Sequence, residues 1–332
     1  MDLQFSIIIP VYNRPQEIAD LLDSLTQQTD AQFEVIVVED GSSLKAEDIC
    51  ETFKGALNLQ YYYKSNTGAG QSRNFGMDRA NGNYFIILDS DCILPPTYIA
   101  AVRTALSAHY TDGFGGADAA HGSFSVLQKA INYVMTSVLT TGGIRGNKNV
   151  KNFQPRSFNM GISKKAYTLT GGFSKMTVGE DIDLTFRLWQ AQVETAFIPK
   201  AFVYHKRRIS WTTFFRQTNN FGAARPILNR LYPGSAKVTY WFPSLFVLGT
   251  MFALSAKLFS LSSLGVWILI AYLSLVFIHS AITTRSLSIA IKVVPALFIM
   301  FFGYGIGFLR SFVKLQVLRR SPKKTFPKMF GL

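Results

Sequence analysis

Glu194 is the last acidic residue of this chain: the 138 residues after it hold 18 Lys and Arg and no Asp or Glu. The first 194 residues hold 16 basic and 20 acidic residues, so the net charge of +14 belongs to the later part. That part also contains three mostly apolar stretches, near 242–260, 263–283 and 287–309. About 20 residues at about 1.5 Å each span a hydrocarbon layer of about 30 Å. Basic residues bracketing long apolar runs mark a protein held at an anionic membrane surface, whereas a nucleic-acid binder carries its charge on a polar folded face. A membrane is the expected partner and nucleic acid is not.

Two or three membrane helices are predicted within 238–311, followed by a basic tail over 312–332. Lys and Arg favour the cytoplasmic side. Arg285 and Lys292, and the tail residues Arg310, Lys314, Arg319, Arg320, Lys323, Lys324 and Lys328, cannot all satisfy that preference with three simple crossings from a cytoplasmic start. The third stretch, with Pro295 and Gly303-Tyr304-Gly305-Ile306-Gly307, is the one predicted to turn back or to lie along the interface. Ahead of it, over 209–237, Trp211, Phe214, Phe215 and Phe221 alternate with Arg216, Arg225 and Arg230, which predicts amphipathic helices at the headgroup level.

Residues 1–208 follow a different rhythm. Short β-rich runs (Phe5 to Val11, Phe33 to Val38, Leu59 to Tyr63, Tyr84 to Leu88) alternate with helical stretches such as Gln16 to Gln28. Near-continuous Ile/Val runs suit strands covered on both faces, so the fold class predicted is α/β, a doubly wound and mainly parallel sheet. Ligands of such sheets sit beyond the carboxyl ends of the strands. Cys50 and Cys92 supply neither a disulfide framework nor a zinc set, and Met1 to Asn13 runs directly into an apolar strand without a signal-peptide pattern, which predicts a cytoplasmic N-terminal half on a multi-pass inner or cell-membrane protein.

The strand ending at Leu88 delivers Asp89-Ser90-Asp91, two carboxylates able to face one hard cation, Mg²⁺ or Mn²⁺. The first strand ends in Pro10-Val11-Tyr12-Asn13-Arg14 and the second in Glu39-Asp40-Gly41-Ser42. Asp40 can accept hydrogen bonds from a nucleobase or ribose, Tyr12 can stack on a base and Arg14 can meet a phosphate; the same residues equally suit a turn and a helix start at Pro15. Gly68-Ala69-Gly70-Gln71-Ser72-Arg73 half-matches a dinucleotide fingerprint, which would make the chain a nicotinamide oxidoreductase. Its third glycine is replaced by Arg73, however, and it follows the third strand rather than the first. A tight turn at Gly68 and Gly70 that brings Arg73 to a diphosphate is the preferred reading.

Together these motifs resemble the family 2 glycosyltransferases over about residues 5–205. The resemblance implies a metal-dependent, inverting enzyme of GT-A fold that uses a nucleoside-diphosphate sugar. It implies that Pro10, Tyr12, Asn13, Arg14 and Asp40 hold base and ribose, that Gly68 and Arg73 lie near the diphosphate, that Asp89 meets ribose and metal, and that Asp91 binds the metal. The later motifs Asn159-Met160-Gly161-Ile162-Ser163, Gly171-Gly172-Phe173 and Gly179-Glu180-Asp181-Ile182-Asp183 are similar to the family's acceptor side, with Asn159, Gly172 and Glu180 there and Asp181 as base. A sugar hydroxyl has a pKa far above 7, so its attack needs a carboxylate to take the proton; an acid in a first helical turn also favours the macrodipole, which is the plainer role of Glu180 and Asp183. His205 matches a histidine that completes the metal site in some relatives, and Lys206, Arg207 and Arg208 beside it can screen a leaving diphosphate or anionic lipid.

Two departures narrow the expectation. Enzymes that glycosylate a polyprenyl phosphate attack with an oxygen already ionised, so the Glu180-Asp181 motif favours a hydroxyl acceptor. Processive synthases carry Gln-X-X-Arg-Trp, whereas Gln217-Thr218-Asn219-Asn220-Phe221 lacks the Arg and Trp, which favours addition of one sugar. The expected reaction moves a sugar, from a UDP-sugar by preference, to a lipid-linked glycan or glycolipid in surface polysaccharide assembly. The alternatives are a polyprenyl-phosphate glycosyltransferase and a non-catalytic membrane binding module.

Overall fold

The structure, a computed structural model, describes residues 2–142, 152–206 and 210–331. In chain order the elements are β1 (Phe5–Val11), α1 (Pro15–Thr26), β2 (Phe33–Asp40), α2 (Glu47–Phe53), β3 (Leu59–Lys64), α3 (Ala69–Met77), β4 (Tyr84–Leu88), β5 (Cys92–Ile93), α4 (Tyr98–Ala108), β6 (Gly113–Ala119), α5 (Val126–Thr136), α6 (Val138–Thr141), β7 (Asn159–Ser163), α7 (Lys164–Thr170), α8 (Glu180–Gln190), β8 (Thr195–His205), α9 (Trp211–Leu231), α10 (Phe242–Leu258), α11 (Leu264–Thr284), α12 (Leu287–Phe312) and the short α13 (Pro322–Thr325). They divide into two compact units: Met1–His121 with Asn147–Lys206 and Phe330–Leu332, and Gly122–Gly146 with Arg207–Met329. Helices α5 and α6, between β6 and β7, thus belong with the later helices, a division that the expected single boundary near residue 208 does not follow. Arg207, Arg208 and Ile209 lie outside the described residues.

The first unit is an eight-stranded sheet of order β3-β2-β1-β4-β7-β6-β8-β5. Strands β3, β2, β1 and β4 are mutually parallel, as are β6 and β8, while β7 runs against β4 and β6 and β5 runs against β8. The unbroken apolar runs have the meaning expected of them, because alternate residues enter two separate cores. Ile7, Ile9, Val35, Val37 and Ile86 pack with Leu21 and Leu22 of α1 and Ile99 and Val102 of α4. Ile8, Ile36, Val38, Phe85 and Ile87 pack with Met77 of α3, Ala166 of α7 and Leu184 and Leu188 of α8. The sheet is therefore covered on both faces. Because β1 lies between β2 and β4, the order reverses there, and the carboxyl ends of β1 and β4 flank the crevice where such sheets bind ligands.

The second unit is helical. Ala130, Ile131 and Val134 of α5, Phe214 of α9, Val276 of α11 and Val293, Leu297 and Phe301 of α12 form its core. Among the described residues, three helical segments, Val238–Leu258, Leu264–Thr284 and Leu287–Val317, are long and apolar enough to cross a membrane. The Gly303–Gly307 run does not turn the chain back. α12 continues through it to Phe312, and the glycines serve close approach: a Cβ at Gly303 would lie 2.1 Å from Thr218 Oγ1, and one at Gly307 2.1 Å from the Asn219 carbonyl oxygen. The small residues that suggested a break are the places where α9 can touch α12.

Candidate active site

The carboxyl end of β1 is locked to that of β2. Asn13 has φ +53°; its backbone N–H donates to Ser42 Oγ at 2.7 Å, and its side-chain oxygen accepts from the backbone N–H groups of Ser43 and Leu44 at 2.8 and 3.0 Å. Beneath it the fully buried Glu39 accepts from Ser42 Oγ and from the Ala46 N–H at 2.7 Å. Glu39 was missed in the sequence, where it reads as one more acid before a turn. Asp40 accepts from the Thr67 and Gly68 N–H groups, each at 2.9 Å, and pairs with Lys64. Gly68 sits at φ +93°, left-handed backbone that favours glycine, so this carboxylate fixes the turn that starts α3. Pro10 is buried in β1, whereas Tyr12 is 52% exposed.

α3 then places Arg73 at the centre of the site. Arg73 is 2% exposed; its Nη2 lies 2.6 Å from Asp89 Oδ1, its Nη1 3.1 Å from Glu180 Oε1, and its guanidinium stands 5.1 Å from the Phe173 ring centre. One buried cation thus joins the carboxylate after β4 to the first carboxylate of α8. The segment before α8 is fastened to the same helix: Asn74 accepts from the Phe173 N–H and donates to its carbonyl, both at 2.8 Å, and Gln71 donates to the Ser174 carbonyl at 3.0 Å. Gly172 has φ +70°, and a Cβ there would lie 2.4 Å from Asn74 Oδ1.

The first turn of α8 carries Glu180, Asp181 and Asp183, which suits the positive end of the helix dipole. Burial, reinforced by the charge of Asp181 and opposed by Arg73, pushes the Glu180 carboxyl up to about 7. Asp183 is engaged by Arg187 at 2.9 Å, and Arg187 also donates to the Thr170 and Gly172 carbonyls, so this acid holds the helix to the turn before it. Asp181 has one oxygen on the Ile182 N–H at 2.8 Å, and its other lies 3.8 Å from Arg156 Nη1. Arg156 was not found in the sequence, because it stands in a segment without a pattern. Asn159, fully buried, has a different set of partners: its amide donates to the Ala117 and Ala201 carbonyls at 3.0 and 2.8 Å and accepts from Tyr98 Oη at 2.6 Å, tying β7 to β6, β8 and α4.

Asp91 and His205 meet through β5. Cys92 pairs with His205 across the β5–β8 ladder, and the Lys206 N–H donates to the Asp91 carbonyl at 2.9 Å. His205 Nε2 lies 3.2 Å from Asp91 Oδ1, while its ring stacks on Phe158 at 4.6 Å. Arg14 pairs with the other oxygen of Asp91. Burial opposes ionisation of Asp91, but His205 and Arg14 outweigh it and hold the carboxyl below the usual carboxylate range. Ligand atoms of Asp91, Cys92 and His205 all lie within 4.8 Å of one another. A carboxylate oxygen beside an imidazole nitrogen fits a borderline-hard divalent ion, and the side chain of Asp89, 32% exposed on the same strand end, is within reach of solvent. The sulfur of Cys92 donates instead to the Phe158 carbonyl at 3.4 Å. Lys206 pairs with Asp20 of α1.

Residues 6–167, just under half of the 332, match the family model Glycosyl transferase family 2. The chain carries a family 2 glycosyltransferase domain. An uncharacterised glycosyltransferase of Haemophilus influenzae is 42% identical over 91 residues, 27% of this chain and 30% of that protein. The poly(ribitol-phosphate) β-N-acetylglucosaminyltransferase TarS of Staphylococcus aureus is 32% identical over 114 residues, 33% of this chain and 20% of TarS. The matched stretch is thus under a third of the length of either relative. Among solved structures, the mannosyltransferase PcManGT from Pyrobaculum calidifontis, in complex with GDP-Man and Mn²⁺, superposes with a TM-score of 0.63 at 14% identity, covering 93% of this chain and 88% of that one. TarS 1–349 in complex with UDP-GlcNAc gives 0.50 at 17% identity, covering 95% and 93%. The fold of this family 2 domain is of the GT-A type.

Proposed function

We infer that this protein is a membrane-bound, inverting glycosyltransferase that moves one sugar from a nucleoside-diphosphate sugar, a UDP-sugar by preference, to a hydroxyl of a lipid-linked glycan or glycolipid in surface polysaccharide assembly. The observation that carries the reading is the Arg73 bridge, which puts the Asp89 end of β4 and the Glu180-Asp181 start of α8 in one charge network. The family match and the nucleotide sugars in the two superposed structures support the donor class. The helices long enough to cross a membrane support a membrane location; the sheet unit is taken to face the cytoplasm on the charge pattern of the sequence.

In this mechanism Asp181 takes the proton of the acceptor hydroxyl as its oxygen attacks the anomeric carbon. The bond to the diphosphate breaks on the opposite face, and the nucleoside diphosphate leaves with the bonding electrons. In this reading Arg73 and Arg14 meet its charge and Tyr12 covers the base. Asp91 and His205, with Asp89, would hold Mn²⁺ or Mg²⁺, which as a Lewis acid neutralises the diphosphate. Arg156 keeps the Asp181 carboxylate in place. Asp181→Asn is expected to lower turnover by at least about 10²-fold with nucleotide binding within a few-fold of wild type, measured by transfer of radiolabelled sugar and by calorimetric titration. Near-normal turnover would remove Asp181 from the base role, and preference for a bare polyprenyl phosphate over hydroxyl acceptors would overturn the acceptor class.

A further inference from the structure

Two different packing relations hold α12 in the second unit. Against α9 it runs residue for residue: a Cβ at Gly303 would meet Thr218, one at Gly307 would meet Asn219 and Ala223, Ser311 Oγ donates to the Ala223 carbonyl at 2.8 Å, and Arg230 Nη1 donates to the Leu315 carbonyl at 3.4 Å. Thirteen residues of α9, Thr218 to Arg230, thus accompany thirteen from Gly303 to Leu315, so the two helices lie side by side in the same direction. α10 and α11 are likewise matched, antiparallel: a Cβ at Gly265 would stand 2.8 Å from Ala253 Cβ, and seven residues on, Tyr272 meets Phe246.

α12 and α10 are not matched in this way. Trp241 touches Phe308 and Phe312, Phe242 touches Phe301, Ser244 Oγ donates to the Gly305 carbonyl at 3.3 Å, and Phe246 touches Phe298, Phe301 and Phe302. The ring contacts and the hydrogen bond that α12 makes to this helix from Phe298 to Phe312, about 21 Å of helix, fall on Trp241 to Phe246, about 7.5 Å at the start of the hairpin. A helix that ran alongside α10 would share its length with it; α12 instead passes across the base of the α10–α11 pair.

α9, its companion, is too polar to cross a bilayer, with Arg216, Asn219, Asn220, Arg225 and Arg230. Charge points the same way. No Asp or Glu occurs in Gly122–Gly146 or Arg207–Met329, so no Lys or Arg of this unit finds a carboxylate within it. Over 210–331 only Lys257 lies near the tip of the hairpin; the remaining cations are on α9, before α10, at the α11–α12 turn, on α12 or in the tail. We propose that α9 and α12 form a layer in the plane of the membrane surface facing anionic lipid headgroups, that the α10–α11 hairpin alone crosses, and that the chain enters and leaves this unit on one side. Two crossings place every cation but Lys257 on that side, which three cannot.

The inference stands apart from the reaction proposed above. Single-cysteine reporters Ala236→Cys, Ser262→Cys and Ser321→Cys, at exposed positions before the hairpin, at its tip and in the tail, test it in the full-length protein. The probe is a membrane-impermeant maleimide, applied to right-side-out and inverted vesicles. The wild type sets the background, since Cys50 and Cys92 are buried. Labelling of 236 and 321 from the same side and of 262 from the other is expected. Labelling of 236 and 321 from opposite sides, or of all three from one side, overturns the proposal. Trypsin on the same vesicles repeats the test without substitutions: cleavage at Lys237 and at Arg319 or Arg320 should occur in the same vesicle orientation, and cleavage in opposite orientations refutes it.

Discussion

Glu180→Gln isolates the effect of one buried carboxyl on stability. A carboxyl that ordinarily titrates near 4.5 is pushed up to about 7 in the fold. Between these values the folded protein binds a proton that the unfolded chain has released, so stability falls as pH rises from about 4.5 through about 7 and is level beyond. The full effect is on the order of 3 kcal/mol, of which about 2–3 kcal/mol falls between pH 5 and pH 8. The glutamine keeps an oxygen that can accept from Arg73 but cannot ionise. In detergent-purified protein the Tm of the wild type should therefore drop relative to E180Q by about 4–12 °C from pH 5 to pH 8, at the few degrees per kcal/mol typical of units this size. Every other titrating group is common to both proteins, so the difference belongs to Glu180. Parallel Tm curves would refute the reasoning and mean that Arg73 keeps Glu180 ionised throughout.

Gly222→Ala should destabilise the helical unit by about 1–3 kcal/mol or more, because its Cβ would stand 2.0 Å from the Tyr304 carbonyl oxygen; Gly249→Ala, with nothing within 4 Å, should leave the same detergent melting curve unchanged or raise it slightly. Asn159→Leu strands the Tyr98 hydroxyl and the Ala117 and Ala201 carbonyls and should cost at least about 3 kcal/mol in chemical denaturation. Removal of divalent ions by chelator should abolish transfer, and added Mn²⁺ should restore both activity and a ligand-dependent rise in Tm; full activity in chelator would detach Asp91 and His205 from any metal role.

The strands around β1 were legible because Ile/Val runs covered on both faces have few other uses, and the acids after β4 stood out because they follow one such run. β5 was not legible: a two-residue strand has no period, and its partner lies more than a hundred residues away. The double pairing of Arg73 was hidden for the same reason, since the loop Gly68–Arg73 foretold a cation at a diphosphate but nothing local foretold Asp89 or Glu180 as its partners. Asn159 looked like an acceptor-side residue, yet its amide is fully engaged between strands, and a sequence cannot show which polar groups the backbone has already claimed. The Gly303–Gly307 run misled on one point, the turn back. Glycines in an apolar stretch mark either a break or a close helix contact, and only the facing residues of α9 decide which.

The two-residue ladder between β5 and β8 also bears on the order in which the protein is completed. Asp91 and His205 meet only when β8, the last strand of the chain, has taken its place beside β6 and β5. Closing so long a loop is slow and costs entropy before any contact rewards it. An ion shared by those two side chains would bind the closed sheet in preference to its precursors. Its uptake would then act as a late latch on folding, and its affinity would report whether the final strand has docked.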